Sequence, residues 1–393
     1  MNRYIFEYYS KTRAALNSSK DQQTTGVTTW EYNYPNLHDC DLKIVIKDKV
    51  VRRDNVNLHI GLNFFADIKI DSENQAKEIV RENVEQIINM ISFSTLTYCT
   101  PAMLVSIINI NPDSSPFTHY PEQIEETINI SIVKIDKSIF GKIHEAYEKN
   151  NEKPRIERTL TWLRKGMGEE LHVDEFISYW IGLEVIKHLL SKEKLNSKRY
   201  WRVNEVIKYL VLKEKTENKH EWDRVKEIFE NELKFNNFNK VKQNGRNGLL
   251  HGFKQLDSVF IEEINSYIEP IRKTLVYCIC SVLNLESTIK IKLLNSNLHK
   301  DSDTKLIFNA NLENLPNDLN SIIQNPPKLD GGIVEKHYSI NEDGETTMNV
   351  KTSHKFSCGN NIKCTGVKLG LWGNKDAGIK QAKMGEITIN KSE

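Results

Sequence analysis

The chain has 393 residues, a formal net charge of +1 and 39% hydrophobic residues. That length carries two or three domains and that apolar content builds a sizeable core, which excludes a disordered chain. With charge so near zero, any grip on nucleic acid has to come from a local basic patch.

The opening "MNRYIFEYYSKTRAAL" breaks its apolar run with charges at once and does not read as a signal peptide. The longest apolar runs, such as "LVYCICSVLNL" (275–285), are too short to span a bilayer. Six cysteines (Cys40, Cys99, Cys278, Cys280, Cys358 and Cys364) are scattered without a framework, as suits a reducing compartment. The expectation is a soluble cytoplasmic protein that does not engage a membrane.

In chain order, residues 1–112 read as a mixed α/β domain. "DLKIVIKDKV" (41–50) and "NLHIGLNFFADIKI" (57–70) are strand-like, with "RRDN" as the turn between them. "SENQAKEIVRENVEQIINMISFS" (72–94) then switches to a helical period, with Ala76, Val80, Val84, Ile87 and Ile91 on one face and Ser72 as N-cap. A strand, "AMLVSIINI" (102–110), follows. "NPDSSPFTHYP" (111–121) is the clearest linker, within a connecting region set at 113–134.

Residues 135–291 read as an all-α bundle. Its helices are "SIFGKIHEAYEKN", "PRIERTLTWLRKGM" opening on Pro154, "VDEFISYWIGLEVIKHLLSKEK" (173–194) capped by Asp174, "YWRVNEVIKYLVLKE" (200–214), "HEWDRVKEIFENELK" (220–234) and a long one across 257–285. The 173–194 helix is apolar on two faces, which predicts a place at the centre of the bundle. Residues 292–393 read as a small β-rich domain, with strands at 305–313, 332–356 and 385–390 and a hairpin turn at Asp343-Gly344. The expected fold class is therefore multidomain: α/β domain, helix bundle, β-rich domain.

Chemistry is concentrated in "VKQNGRNGLLHGF", Val241 to Phe253. Arg246 precedes His251 with four residues between, a weak pattern alone, since Arg53 precedes His59 with five between inside a strand. Glycines 245, 248 and 252 distinguish the second segment. Each costs about 1 kcal/mol in a helix interior, which predicts a turn or hinge leading into the final helix. Arg246 offers a rigid fork of donors for a phosphate. His251 titrates near neutrality, as a general acid or base must. Asn247 can orient either one. These are the parts for internal attack of a ribose 2′-OH on its phosphodiester, with no metal and no cofactor. The plainer alternative is a helix-turn-helix carrying a surface histidine.

Two stretches carry a family resemblance. "RTLTWLRKGMGEELHVDEFISYWIGLEVI" (158–186), with its aromatic-Ile-Gly-Leu-Glu run ending at Glu184, is followed roughly sixty residues later by "RNGLLHG" (246–252). Together they resemble the HEPN superfamily, specifically its Apea-like group, over about 135–291. The resemblance implies an all-α homodimer joined through the bundle, with two Arg/His motifs converging on one composite ribonuclease site. It implies metal-independent cleavage of RNA, tRNA included, in toxin, abortive-infection or antiphage settings, with a phage-derived or antitoxin regulator as a further partner.

Glu184 lies one turn before His188 and is expected to pair with Arg246, His251 or a backbone N–H, either to orient the motif or as a structural salt bridge. Lys240, Lys242 and Lys254, interleaved with Phe235, Phe238 and Phe253, suit a single-stranded RNA path. Alternatively the phenylalanines face the core and the lysines form a solvated rim. His337, His354, Cys358 and Cys364 offer zinc ligands only in a spacing that no finger uses. Two functions remain: an endoribonuclease using Arg246, His251, Asn247 and Glu184, or a non-catalytic RNA-binding or dimerisation scaffold.

Overall fold

The first fifteen residues alternate bulky aromatics with charged or smaller ones, and that alternation builds the central strand of a sheet. The computed structural model describes residues 2–17, 29–37, 40–53, 56–110, 117–119, 132–190, 221–250, 257–298, 305–313, 328–340, 346–357 and 363–372. β1 (Asn2–Lys11) turns Tyr4, Phe6 and Tyr8 to the core and Arg3 and Glu7 outward. After the short β2 (Ala14–Ala15) come β3 (Thr29–Leu37), β4 (Cys40–Arg53) and β5 (Val56–Ile70), then helix α1 (Glu73–Thr95) and strand β6 (Met103–Ile110). β7 (Phe117–His119) adds three residues to the edge, and β8 (Val133–Lys134) pairs in parallel with β2.

The sheet order is β3-β4-β5-β1-β6-β7, and every pair in it is antiparallel. This corrects the expected α/β domain. A parallel α/β sheet needs a helical crossover between successive strands, whereas here β4 and β5 pair antiparallel from Arg53↔Val56 onward, and among the described residues α1 is the one helix between strands of the sheet. The alternation in β4 and β5 already carried that meaning: Leu42, Ile44, Ile46, Leu62, Phe64, Ala66 and Ile68 are buried while Lys43, Lys47, Asn63 and Asp67 lie on the other face. The segment taken as a linker also supplies an edge strand, with Phe117, Thr118 and His119 paired to Ile108, Ile107 and Ser106.

α1 starts at the expected Ser72 cap, whose hydroxyl accepts from the Gln75 N–H. It lies between the sheet and the helices that follow, α2 (Lys137–Glu148) and α3 (Lys153–Gly168). Buried Arg164 of α3 meets Glu85 of α1 at 2.7 Å, and Asn89 donates to Thr161 at 3.0 Å. One apolar core runs from the sheet through α1 into the helices, so the sheet and the bundle are not independently cored units. α4 (His172–Leu190) packs on α3 and on α7 (Ser258–Val282), which gives it the central place its two apolar faces predict. Asp174 sits inside its first turn, where a carboxylate favours the helix dipole, and not at the cap.

Between α4 and α7 come α5 (221–227, widening into a π turn at Ile228–Glu232) and α6 (238–250). The predicted 200–214 helix lies outside the described residues. α8 (Ser287–Asn295) follows α7. After α8, among the described residues, β9 (Lys305–Glu313) pairs with β12 (Lys363–Trp372) and β10 (Lys328–Ile340) with β11 (Thr346–Ser357), giving two two-stranded ladders. The Asp343-Gly344 turn and the 385–390 strand lie outside the described residues. Among the described residues, no helix is long and apolar enough to cross a membrane.

Candidate functional site

Glu184 comes from the middle of α4 and Arg246 from α6, and the fold brings them together. α6 is helical throughout 238–250, in three contiguous pieces: Phe238–Lys240, a π-helical run at Val241–Asn247, and Gly248–Leu250. The expected glycine hinge is therefore corrected for the described residues. Gly248 has ordinary right-handed helical angles, and its N–H reaches the Gln243 carbonyl five residues back. Gly245 is there for packing: a Cβ on it would lie 2.5 Å from Cζ of buried Phe176 on α4. The propensity cost of glycine is offset by the close approach of two helices. π-helical turns are uncommon and recur at functional sites because the extra residue re-aims a side chain.

Arg246 Nε donates to Glu184 Oε1 at 3.3 Å, and its Nη1 donates to the Asn247 side-chain oxygen at 2.9 Å. The same Glu184 oxygen accepts from the indole N–H of Trp180 at 3.1 Å. Trp180 is buried, so the carboxylate is anchored on one side and holds the guanidinium on the other. The Arg246 and Glu184 side chains stay 30% and 34% exposed, so the pair faces solvent and can meet a ligand. Three of the sequence-predicted site residues, Glu184, Arg246 and Asn247, thus form one contact group. His251 and Lys254 lie outside the described residues.

The predicted lysines part company. Lys240 turns toward Glu263 of α7 at 3.6 Å, and that carboxylate also accepts from Asn244 and from the Tyr267 hydroxyl. Lys242 faces the other way, with its ammonium 4.9 Å from the centre of the Trp222 ring on α5. Phe238 is buried and stacked on Trp180, and partly buried Phe235 packs on Phe229, so these two face the core, while Phe253 lies outside the described residues. A base cannot stack on buried Phe238.

Two residues of this region went unnoticed in the sequence. Trp222 stacks on Trp180 with ring centres 5.1 Å apart and lies under both Lys242 and Lys187, the latter at 4.8 Å. Lys187 is three residues after Glu184 and so shares its face of α4, a signal the spacing contained. Trp222 offered none, because its partners come from two other helices. His188, expected near Glu184, instead places Nδ1 2.6 Å from Glu221 Oε1, while Lys187 approaches the other oxygen of Glu221 at 3.8 Å. Burial, reinforced by the positive charges of Lys187 and Arg246, pushes the Lys242 pKa down against the pull of Glu184 and Asp223.

The chain matches no protein-family model, no curated protein and no solved structure. The site presents a half-exposed guanidinium fixed by a carboxylate, an amide beside it and two ammonium groups on an aromatic floor, an arrangement suited to a phosphodiester. Among the described residues, no group of three or more His, Cys, Asp or Glu is placed to hold a metal ion. In the β10–β11 ladder His337 pairs with Asn349 and His354 with Gly331, so the two histidines lie five rungs apart. At about 3.4 Å per residue that is roughly 17 Å, too far to share one zinc ion.

Proposed function

We propose that this protein is a metal-independent endoribonuclease of the HEPN type, acting in the cytoplasm as a toxin or antiphage effector. The observation that carries the proposal is the Glu184–Arg246–Asn247 group, in which the motif arginine is solvent-accessible and oriented from two sides. In the proposed reaction the ribose 2′-OH attacks its adjacent phosphorus. His251 takes the 2′ proton, the bond from 2′-oxygen to phosphorus forms, and the bond to the 5′-oxygen breaks. The 5′-oxygen leaves with a proton, so the products are a 2′,3′-cyclic phosphate and a 5′-hydroxyl. Arg246 neutralises charge on the non-bridging oxygens as it develops. A twofold dimer through the bundle would supply a second motif, so that base and acid are different histidines.

The second reading is a non-catalytic RNA-binding or dimerisation scaffold. It is favoured by the direct ion pair of Arg246 with Glu184, which also serves as a plain bridge between α4 and α6. One experiment separates the two. The full chain, Arg246→Ala and His251→Ala are each incubated with total RNA in EDTA, and the new termini are analysed. Cyclic phosphate ends from the wild type alone support the nuclease. Equal cleavage by all three removes the assigned residues, and binding without cleavage leaves the scaffold.

A further inference from the structure

Lys187, Lys242 and Arg246 come from two helices and converge on one side of an aromatic stack. Both ammonium groups lie over the same ring, at 4.8 and 4.9 Å from the centre of Trp222. Trp180 is stacked on that ring and also donates to Glu184, which holds Arg246. The three cations are therefore linked through two tryptophans in continuous contact. Lys187 is only 13% exposed and lies 3.8 Å from Glu221 Oε2, so it is a built part of the wall and not a solvated surface lysine. Lys242 lies over the ring, with Glu184 and Asp223 near enough to act on its charge. A cation over an indole face is attracted by it, but two like charges over one indole repel each other. Lys242 feels that repulsion: burial first, then the charges of Lys187 and Arg246, lower its pKa against the pull of Glu184 and Asp223. A polyanion would relieve it.

We propose that Lys187 and Lys242, seated on Trp222, form a phosphate subsite beside Arg246 that binds the RNA backbone one or more nucleotides from the scissile bond. The subsite rests on the ribonuclease reading of Arg246. It reads backbone charge and no base, because the Trp222 ring is covered by Trp180 and the lysines.

The test is the salt dependence of binding and of cleavage by the full chain, using a fluorescent single-stranded RNA oligonucleotide. Wild type is compared with Lys242→Gln, with the Lys187→Gln/Lys242→Gln pair, and with Lys187→Arg as a control that keeps the buried charge. Each lysine that contacts a phosphate contributes about 0.7 to the slope of log K against log salt on a single strand. The expected result is a slope lower by about 0.7 for Lys242→Gln and about 1.4 for the pair, unchanged for Lys187→Arg, with circular dichroism showing all four folded. If the wild type cleaves and the paired variant keeps the full slope, the subsite is wrong and the nuclease reading survives. If the slope falls but no protein cleaves, the subsite stands as an RNA-binding site and the nuclease reading fails. A wild type that neither binds nor cleaves overturns both.

Discussion

Glu184 and Arg246, 62 residues apart in the chain, meet at 3.3 Å across the α4–α6 contact, and the same carboxylate oxygen carries the Trp180 indole N–H. The two bonds differ in kind. The ion pair is about one-third exposed, so solvent screening holds its net worth below about 1 kcal/mol. The indole N–H belongs to a buried ring, and leaving it without an acceptor costs about 1–3 kcal/mol. Glu184→Gln keeps an acceptor and loses only the charge, so it should lower Tm by about 2 °C or less. Glu184→Leu should lower it by clearly more. Equal shifts for the two variants in thermal denaturation would mean that the charge, and not the indole bond, anchors this corner.

Two glycines should respond to alanine with opposite sign. Gly141 lies exposed in α2, and an added Cβ would meet nothing within 4 Å. Gly141→Ala should stabilise the protein by about 0.5–1 kcal/mol, the ordinary helix gain. At Gly245 the same Cβ would lie 2.5 Å from the Phe176 ring, which is fully buried and stacked on Trp180. Overpacking costs about 1–3 kcal/mol and outweighs the propensity gain, so Gly245→Ala should be destabilising. Urea midpoints of the two variants report the sign directly. A stabilising Gly245→Ala would show that α6 can move away from α4.

These glycines also mark the limit of what the sequence showed. The β4–β5 pairing, the Ser72 cap and the central place of α4 were legible, because each is set by a local pattern that burial on one face enforces. Helix α6 was not. Its glycines read as breakers by propensity, while the reason for Gly245 is a ring on another helix, 69 residues upstream in numbering. The place of β1 at the centre of the sheet was hidden for a related reason. β1 sits between β5 and β6, and that long-range pairing leaves no trace in the spacing of its own residues. In the site, the need of a carboxylate for a partner offered Arg246 to Glu184 as one of three candidates, whereas Trp222 is defined only by what lands on it from α4 and α6.

His59, the histidine of the second Arg-to-His match, sets a pH dependence. It is fully buried in β5, with Nε2 3.1 Å from the Thr12 carbonyl and Nδ1 3.8 Å from Asp48. A carbonyl only accepts, so Nε2 carries the proton of the neutral ring. Burial pushes its pKa below the usual histidine value, and the nearby Asp48 opposes that only in part. The folded state therefore binds fewer protons than the unfolded chain as pH drops through about 6.5, and stability falls there. His144, lowered chiefly by burial with Lys153 adding and Glu148 opposing, acts with the same sign. His59→Gln should flatten, without abolishing, the loss of stability between about pH 6.5 and 5. Parallel curves for variant and wild type in chemical denaturation would show that His59 does not charge on unfolding.

Replacement of Arg246 by lysine should tell an oriented fork from a simple charge. Arg246 reaches Glu184 through Nε and Asn247 through Nη1, two directions that one ammonium on a flexible stem cannot reproduce together. Under the nuclease reading the guanidinium plane is thereby aimed at the non-bridging oxygens of the phosphate, and loss of one such oriented donor costs about 10²–10³ in rate. Arg246→Lys should therefore lose kcat nearly as heavily as Arg246→Ala, while its KM and salt slope stay close to those of the wild type, because the positive charge remains. Asn247→Ala removes one of the two orienting contacts and should fall between wild type and Arg246→Lys in kcat. Single-turnover cleavage of a labelled RNA measures all three. Near-wild-type kcat in Arg246→Lys would reduce Arg246 to a point charge and leave Glu184 and Asn247 as packing partners of α6.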